Sequence, residues 1–154
     1  EYTSSVILNA PIEKIFSFCS SKEGFLSHFP YRCRWKTGCS KWEYGTDFSF
    51  EFRYLGVWFT HSAKISGFTQ NEYFEDTMQR GLYKYFVHQH IFEPHGVGVK
   101  YTDKVIFSLG FGDLADRTVG LKTMEKLFSS RHKRMKEILE ANPIATFSNL
   151  TREN

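Results

Sequence analysis

The feature that most constrains the fold is a long middle section in which hydrophobic residues recur with a period of two. Aromatic and polar side chains alternate from residue 48 to residue 54, and four further strand-like segments follow. Short stretches with turn residues separate them, such as Leu55-Gly56. Because turns this short join antiparallel neighbours, the section predicts an antiparallel meander. The further strands are predicted over 57–68, 72–80, 84–93 and 99–109.

Helical patterns flank this meander on both sides. A first strand over 2–9 is followed by two short helices, predicted over 12–19 and 22–28. At the other end, apolar residues at steps of three and four predict one long helix over 114–140. The whole pattern predicts a single α+β domain over 1–141, in which a curved antiparallel sheet wraps around the C-terminal helix. A polar C-terminal tail is expected over 142–154.

Two histidines lie in an otherwise apolar strand, "FVHQHIF", where His88 and His90 share one face with Phe86 and Phe92. A three-residue turn at 81–83 predicts that Asp76 lies opposite His88, and that Phe74 lies opposite His90. A two-residue turn at His95-Gly96 would place Asp103 opposite His88, and Tyr101 opposite His90. A shift of one residue in either register would turn the histidines to the other face.

Asp103 is the one carboxylate in the apolar face of the last strand, between Tyr101 and Val105. A buried carboxylate needs a partner, and Arg131 occupies a core-facing position of the long helix. We therefore expect a buried polar cluster of Asp76, His88, His90, Asp103 and Arg131 beneath that helix. These residues, except Arg131, are also the candidates for any acid–base catalysis.

Several segments together resemble the START-like, Bet v 1-like superfamily, also called SRPBCC or polyketide cyclase and lipid-transport proteins. Within it, the chain is most similar to bacterial ligand-binding-type members without a characterised function. The resemblance spans nearly the whole chain, and its segments occur in the expected order: "APIEKIFSF", "YFEDTMQRG", "HQHIF", "YTDKVIF" and "MEKLFSSRHKRM". Gly81-Leu82, Phe86 and Phe107 depart from the pattern, since such relatives commonly have Gly-Pro, Trp and Tyr there.

The resemblance implies a helix-grip fold with a cavity between sheet and helix that takes a hydrophobic or amphipathic, lipid- or polyketide-like molecule. It does not imply one chemistry, because the superfamily includes carriers, receptors and enzymes. The phenylalanine at position 107 makes the lower end of the pocket more apolar. The candidate ligand-binding residues are Phe74, Asp76, Met78, Phe86, His88, His90, Tyr101, Asp103, Val105, Met124, Phe128 and Arg131.

Four interpretations of His88 and His90 stay open. They form a structural hydrogen-bonded pair that neutralises the aspartates, or they orient the polar end of a ligand. Alternatively, one of them is the base of a cyclase or dehydratase, with Asp76 or Asp103 behind it. They can also ligate zinc, with His61 approaching from a neighbouring strand. The expectation adopted is no metal and no cofactor, with ligand binding favoured over catalysis.

At the level of the whole protein, three functions compete: a carrier of a small molecule, an enzyme using the same pocket, and an interaction domain without a ligand. An aromatic content of 18% suits either a thick core or an apolar pocket. The net charge of +3 is mild, and the basic run at 131–134 is typical of a solvated helix face, so no nucleic-acid partner is expected.

Cellular location is also predicted from the composition. Three cysteines without zinc-finger spacing favour reduced thiols in a cytoplasmic protein. No apolar run approaches the ~20 residues of a membrane span, so no stable membrane insertion is expected, and no signal peptide is visible.

Overall fold

A computed structural model describes residues 1–141, so the predicted tail over 142–154 lies outside the described residues. The strands form one seven-stranded antiparallel sheet in the order β1-β7-β6-β5-β4-β3-β2. The first and second strands of the chain therefore occupy opposite edges. The strands are β1 Tyr2–Leu8, β2 Cys33–Thr37, β3 Asp47–Tyr54, β4 Val57–Thr69, β5 Tyr73–Arg80, β6 Tyr85–His95 and β7 Gly98–Ser108.

Two short helices, α1 (Ile12–Cys19) and α2 (Lys22–His28), connect β1 to β2. After β7, a short helix α3 (Asp113–Ala115) leads through a π-helical segment (Asp116–Gly120) into α4 (Leu121–Glu140). The predicted long helix is thus present, with a π-helical segment near its start. Sheet and helix together form the predicted α+β helix-grip fold. No helix within residues 1–141 is long and apolar enough to cross a membrane.

The buried face of α4 packs against the sheet. Met124 and Phe128 share a core cluster with Phe86, Val105 and Phe107 of β6 and β7. The ring of Phe128 also stacks on Tyr2 of β1, with ring centroids 5.5 Å apart. A second, larger cluster fills the space between the short helices and the other half of the sheet. The apolar helix stripe therefore spans the inner face of the sheet, as its periodicity predicts.

Close contact between the helix and the sheet requires a glycine at position 120. A Cβ atom there would lie 2.5 Å from Cε2 of Phe107, well inside van der Waals contact. Glycine costs up to about 1 kcal/mol in a helix relative to alanine. Packing against Phe107 thus favours glycine at position 120, although helix propensity alone disfavours it.

The predicted registers are partly confirmed. Between β5 and β6, Asp76 pairs with His88 and Phe74 pairs with His90, as predicted. Between β6 and β7, the prediction is wrong by two residues, because the turn lies at Gly96-Val97. His90 therefore pairs with Asp103, and Phe92 with Tyr101. Since a shift of two preserves the face, both histidines and Asp103 still point to the same side.

Candidate functional site

The site begins with the inner face of β6, where alternate residues are buried and two of them are histidines. His88 is 4% exposed and His90 is 3% exposed, between the buried rings of Phe86 and Phe92. The two imidazole rings lie side by side, with centroids 3.9 Å apart. Period-two alternation therefore places two adjacent imidazoles in the interior.

Asp103 of β7 accepts hydrogen bonds from three side chains. Its Oδ1 accepts from Nε2 of His88 at 2.7 Å and from the hydroxyl of Tyr101 at 2.6 Å. Its Oδ2 accepts from Nε2 of His132 on α4 at 2.6 Å. Burial alone would raise the pKa of Asp103, but the hydrogen bonds from His132 and His88 outweigh it and hold the pKa well below its usual range. Asp103 is therefore an ionised, fully satisfied carboxylate.

Asp76 of β5 faces both histidines from the other side. Its Oδ2 lies 3.4 Å from Nδ1 of His88 and 3.2 Å from Nε2 of His90. Burial would raise the pKa of Asp76, but the two histidines lower it below its usual range. Burial would likewise lower the pKa of His88, but Asp103 and Asp76 raise it. For His90, burial and then the charge of His88 dominate, and they lower its pKa to about 4.

The proton positions around His90 follow from Tyr101. The tyrosine hydroxyl has one proton, and it donates this proton to Asp103. Nδ1 of His90, 2.6 Å from the same hydroxyl, must then be the donor. In the neutral ring, Nε2 consequently carries a lone pair, and this lone pair faces the carboxylate of Asp76.

Arg131 does not join the aspartates as predicted. Its Nη2 lies 3.0 Å from Nε2 of His28 on α2, and its guanidinium lies 5.0 Å from the ring centroid of Phe128. Within residues 1–141 no carboxylate forms a salt bridge with it, and its buried Nε has no hydrogen-bond partner. The prediction assumed that the nearest acids would bind the arginine, but His132, one residue later on α4, takes that position at Asp103.

His28 was not predicted as a site residue. Its Nδ1 donates to the carbonyl oxygen of Gly24 at 2.6 Å, which leaves Nε2 to accept from Arg131. Burial and then the charge of Arg131 hold its pKa well below its usual range. His28 is therefore a neutral imidazole that satisfies one side of the guanidinium.

A cavity opens between the sheet, α2 and α4, beside this cluster. The space free for the centre of a water-sized molecule is about 100 Å³, and most of its wall is aromatic. Of the twelve predicted ligand-binding residues, those in its wall are Asp76, Phe86, His88, His90, Phe128 and Arg131. The remaining six do not contribute to this wall: Phe74, Met78, Tyr101, Asp103, Val105 and Met124.

Several wall residues are not among the twelve predicted ligand-binding residues. Phe25 and Phe29 of α2 pack against Phe50, and Trp42 stacks on Phe48 with ring centroids 4.7 Å apart. Cys19 and His61 also reach the cavity. A wider depression, about 340 Å³ on the same measure, adjoins it and shares Tyr31, Tyr54 and Thr123 with its wall. The cavity therefore continues outward between β3 and the start of α4.

The helix-grip architecture, with a cavity beneath the terminal helix, agrees with the fold that the sequence resemblance implies, and several solved structures share it. Similar solved structures include protein CV1439 from Chromobacterium violaceum, with a TM-score of 0.76 and 12% identity over 92% of this chain and 97% of that one. Ara h 8.0201 has a TM-score of 0.70 and 14% identity over 92% of this chain and 97% of that chain.

A third similar structure is the di-domain ARO/CYC StfQ from the steffimycin biosynthetic pathway. Its TM-score is 0.74 at 10% identity, over 90% of this chain and 50% of that chain. No protein-family model matches the sequence, and no curated protein matches it either. At these identities the similarity establishes the fold and not the ligand.

Proposed function

We propose that this protein binds a compact hydrophobic small molecule that carries one anionic or hydrogen-bond-accepting group. The molecule lies in the aromatic cavity between the sheet and α4, with its polar group on the guanidinium of Arg131. The observation that carries the proposal is Arg131 itself, a buried cation in the cavity wall with an unpartnered Nε.

A buried guanidinium has a large desolvation cost, and the charge of Asp103 and the ring of Phe128 act on Arg131 without a direct ion pair. The hydrogen bond to neutral His28 satisfies only one of its donors. A carboxylate or phenolate on a ligand would accept from the remaining donors and supply the missing charge. The Arg131 environment is therefore better suited to a ligand with an acceptor group than to an entirely apolar one.

The size of the cavity limits the ligand. One water needs about 10–15 Å³ of such space, so the cavity of about 100 Å³ has room for several waters. That volume suits a compact aromatic or polycyclic molecule more than a long acyl chain. Larger ligands would extend into the depression beside Tyr31 and Tyr54. The same volume argues against an interaction domain whose interior has room only for water.

The enzymatic alternative has less support. A general base needs a ring nitrogen that is free to accept a proton. His88 directs one nitrogen at Asp103 and the other at Asp76, and its pKa is raised. His90 directs Nδ1 at Tyr101 and Nε2 at Asp76. Both nitrogens of each imidazole therefore face side chains of the protein itself in this arrangement.

Native mass spectrometry of the gently purified protein, before and after organic extraction, tests the proposal directly. An extra mass that leaves on extraction, and that belongs to an amphipathic compound, is the expected result. A defined probe pair complements it: the anionic 2-naphthoate and the neutral 2-methylnaphthalene. Their binding is measured by tryptophan fluorescence, to which Trp42 in the cavity wall contributes.

The variants Arg131→Met and Lys133→Met provide a matched comparison, because Lys133 is exposed on the same helix. We expect Arg131→Met to weaken 2-naphthoate binding at least tenfold and to leave 2-methylnaphthalene binding nearly unchanged. Lys133→Met should change neither. If Arg131→Met bound 2-naphthoate as tightly as the wild type does, the proposed role of Arg131 would be contradicted.

A further inference from the structure

Asp76, His88 and His90 direct three donor atoms at one point on the cavity wall. The atoms that meet are Oδ2 of Asp76, Nδ1 of His88 and Nε2 of His90, and the donor atoms of the three residues lie within 4.8 Å of one another. All three residues are at least nine-tenths buried, and all three line the cavity. Two imidazoles and one carboxylate are the ligand types that zinc and iron(II) sites use.

The contacts within this group are longer than the other hydrogen bonds of the cluster. Charge-assisted N–H···O contacts are typically about 2.7–2.9 Å, and the other bonds of the cluster have such lengths or shorter ones. The two contacts to Asp76, in contrast, are 3.4 and 3.2 Å. Asp76 is thus held near both rings by longer contacts than those at Asp103, and its contact with His90 is at the long end of the hydrogen-bond range.

The position of the proton on His90 also affects its contact with Asp76. Tyr101 fixes the donor of His90 at Nδ1, so the Nε2 lone pair faces the lone pairs of the Asp76 carboxylate across 3.2 Å. Two facing acceptors repel each other in a buried site. A cation between them would convert this repulsion into two coordinate bonds.

The observed distances match those between neighbouring ligands of a tetrahedral metal ion. Metal–ligand bonds of about 2.0–2.1 Å separate adjacent donor atoms by about 3.3–3.4 Å in a tetrahedron. The two distances from Asp76 Oδ2 are 3.4 and 3.2 Å. The two distances from Asp76 are therefore those of neighbouring ligands on one ion, and the distance between the two imidazole nitrogens is at most 4.8 Å.

The outer partners of the histidines also have the arrangement found around metal sites. Ligating histidines typically donate their second ring N–H to a carboxylate or another acceptor, which fixes the tautomer. Here Nε2 of His88 donates to Asp103, and Nδ1 of His90 donates to Tyr101. Tyr101 in turn donates to Asp103, so one buried carboxylate orients both rings.

We propose that Asp76, His88 and His90 form a binding site for one divalent transition-metal ion of the zinc or iron(II) class, with its open coordination position facing the cavity. The site goes beyond the small-molecule binding proposed above and does not depend on it. Its donor set departs from the all-oxygen sets that magnesium and calcium prefer. Any oxygen-donating group in the cavity would have direct access to the ion.

The first test is isothermal titration calorimetry, in which ZnCl₂ is added to the untagged full chain after a chelator has removed any bound metal. One equivalent should bind, with a dissociation constant in the micromolar range or below. X-ray absorption of the one-to-one complex should show two imidazoles and no sulfur. Absence of binding at one equivalent would overturn the proposal, as would a sulfur ligand, because the ion would then lie at cysteine.

Variants separate this site from other histidines. We expect Asp76→Asn and His90→Gln to weaken zinc binding at least 100-fold. His95→Gln, an exposed position at the end of the same strand, should bind like the wild type. Wild-type affinity in both Asp76→Asn and His90→Gln would overturn the assignment. If those variants fail to fold, the X-ray absorption of the wild type still decides between the outcomes.

Discussion

Nη2 of Arg131 lies 3.0 Å from Nε2 of His28, so a buried guanidinium pairs with a neutral imidazole and not with a carboxylate. Ion pairs are the usual solution for a buried arginine. The arrangement at Arg131 leaves its charge available to the cavity. The effect of Arg131 on stability and its effect on ligand binding can therefore be measured separately.

We expect Arg131→Met to leave the free energy of unfolding within about 1 kcal/mol of the wild type, or to raise it, because replacing a poorly paired buried charge by an apolar side chain is often neutral or stabilising. Urea denaturation of the ligand-free protein measures this change, with Lys133→Met as the control. A loss of about 3–5 kcal/mol, typical of breaking a buried ion pair, would show that Arg131 is structural.

Asp103→Asn should be severely destabilising. The substitution removes the charge that accepts from His88, His132 and Tyr101 in a fully buried position. We expect a loss of about 3–5 kcal/mol in the free energy of unfolding, measured by urea denaturation with a chelator present.

Asp47→Asn is the matched control for Asp103→Asn. Asp47 forms an exposed salt bridge with Lys64, and such pairs contribute about 0–1 kcal/mol. Equal losses in the two variants would contradict the central position of Asp103 in the buried network.

The dependence of stability on pH should carry a contribution from His28. Its pKa is lowered in the folded protein by burial and then by Arg131, while Asp103 and His90 act on it more weakly. Above the unfolded pKa of about 6.5, neither state binds the proton. As the pH falls below this value, only the unfolded state does, and folding weakens by up to about 1.4 kcal/mol per pH unit.

His28→Gln should therefore be less sensitive to acid than the wild type. The measurement is the free energy of unfolding between pH 7.5 and about 5, and the informative quantity is the difference in slope. His95→Gln, at an exposed position, should keep the wild-type slope. A steeper slope in His28→Gln would have the wrong sign and would disprove the explanation.

Gly120→Ala tests the contact between the helix and the sheet. Alanine would gain up to about 1 kcal/mol of helix propensity. The added methyl would meet Phe107 at 2.5 Å, and overpacking typically costs about 1–3 kcal/mol. We expect a net loss of stability in thermal unfolding, whereas Ser129→Ala, exposed on the same helix, should be neutral or stabilising.

The period of two and the short turns were sufficient to predict most strands and the inward face of Asp76, His88 and Asp103. The turn at residues 95–98 was misplaced, since His95-Gly96 and Gly96-Val97 both satisfy turn chemistry. The predicted register was wrong by an even number of residues. It therefore changed which residues pair across the strands, but not which face of the sheet they point to. Residue-level pairing therefore needed the structure, while the composition of the buried face did not.

The helix contributions were harder to predict. The apolar spacing correctly predicted that Arg131 faces the core, but the rest of the basic run at 131–134 is typical of a solvated face, and His132 is buried as well. His132 follows Phe128 by four residues, and this spacing alone indicated its position. No comparable pattern links His28 to Arg131, because α2 and α4 meet only through the tertiary fold.

The pairing of β1 with β7 has a consequence for the order in which the protein assembles during synthesis. Tyr2 pairs with Val105, so β1 leaves the ribosome about a hundred residues before the strand that pairs with it. Contacts this distant in sequence slow folding, and an unpaired edge strand exposes hydrogen-bonding groups to other chains. The meander from β3 to β7, built from local hairpins, can form first and then serve as the template for the N-terminal strand.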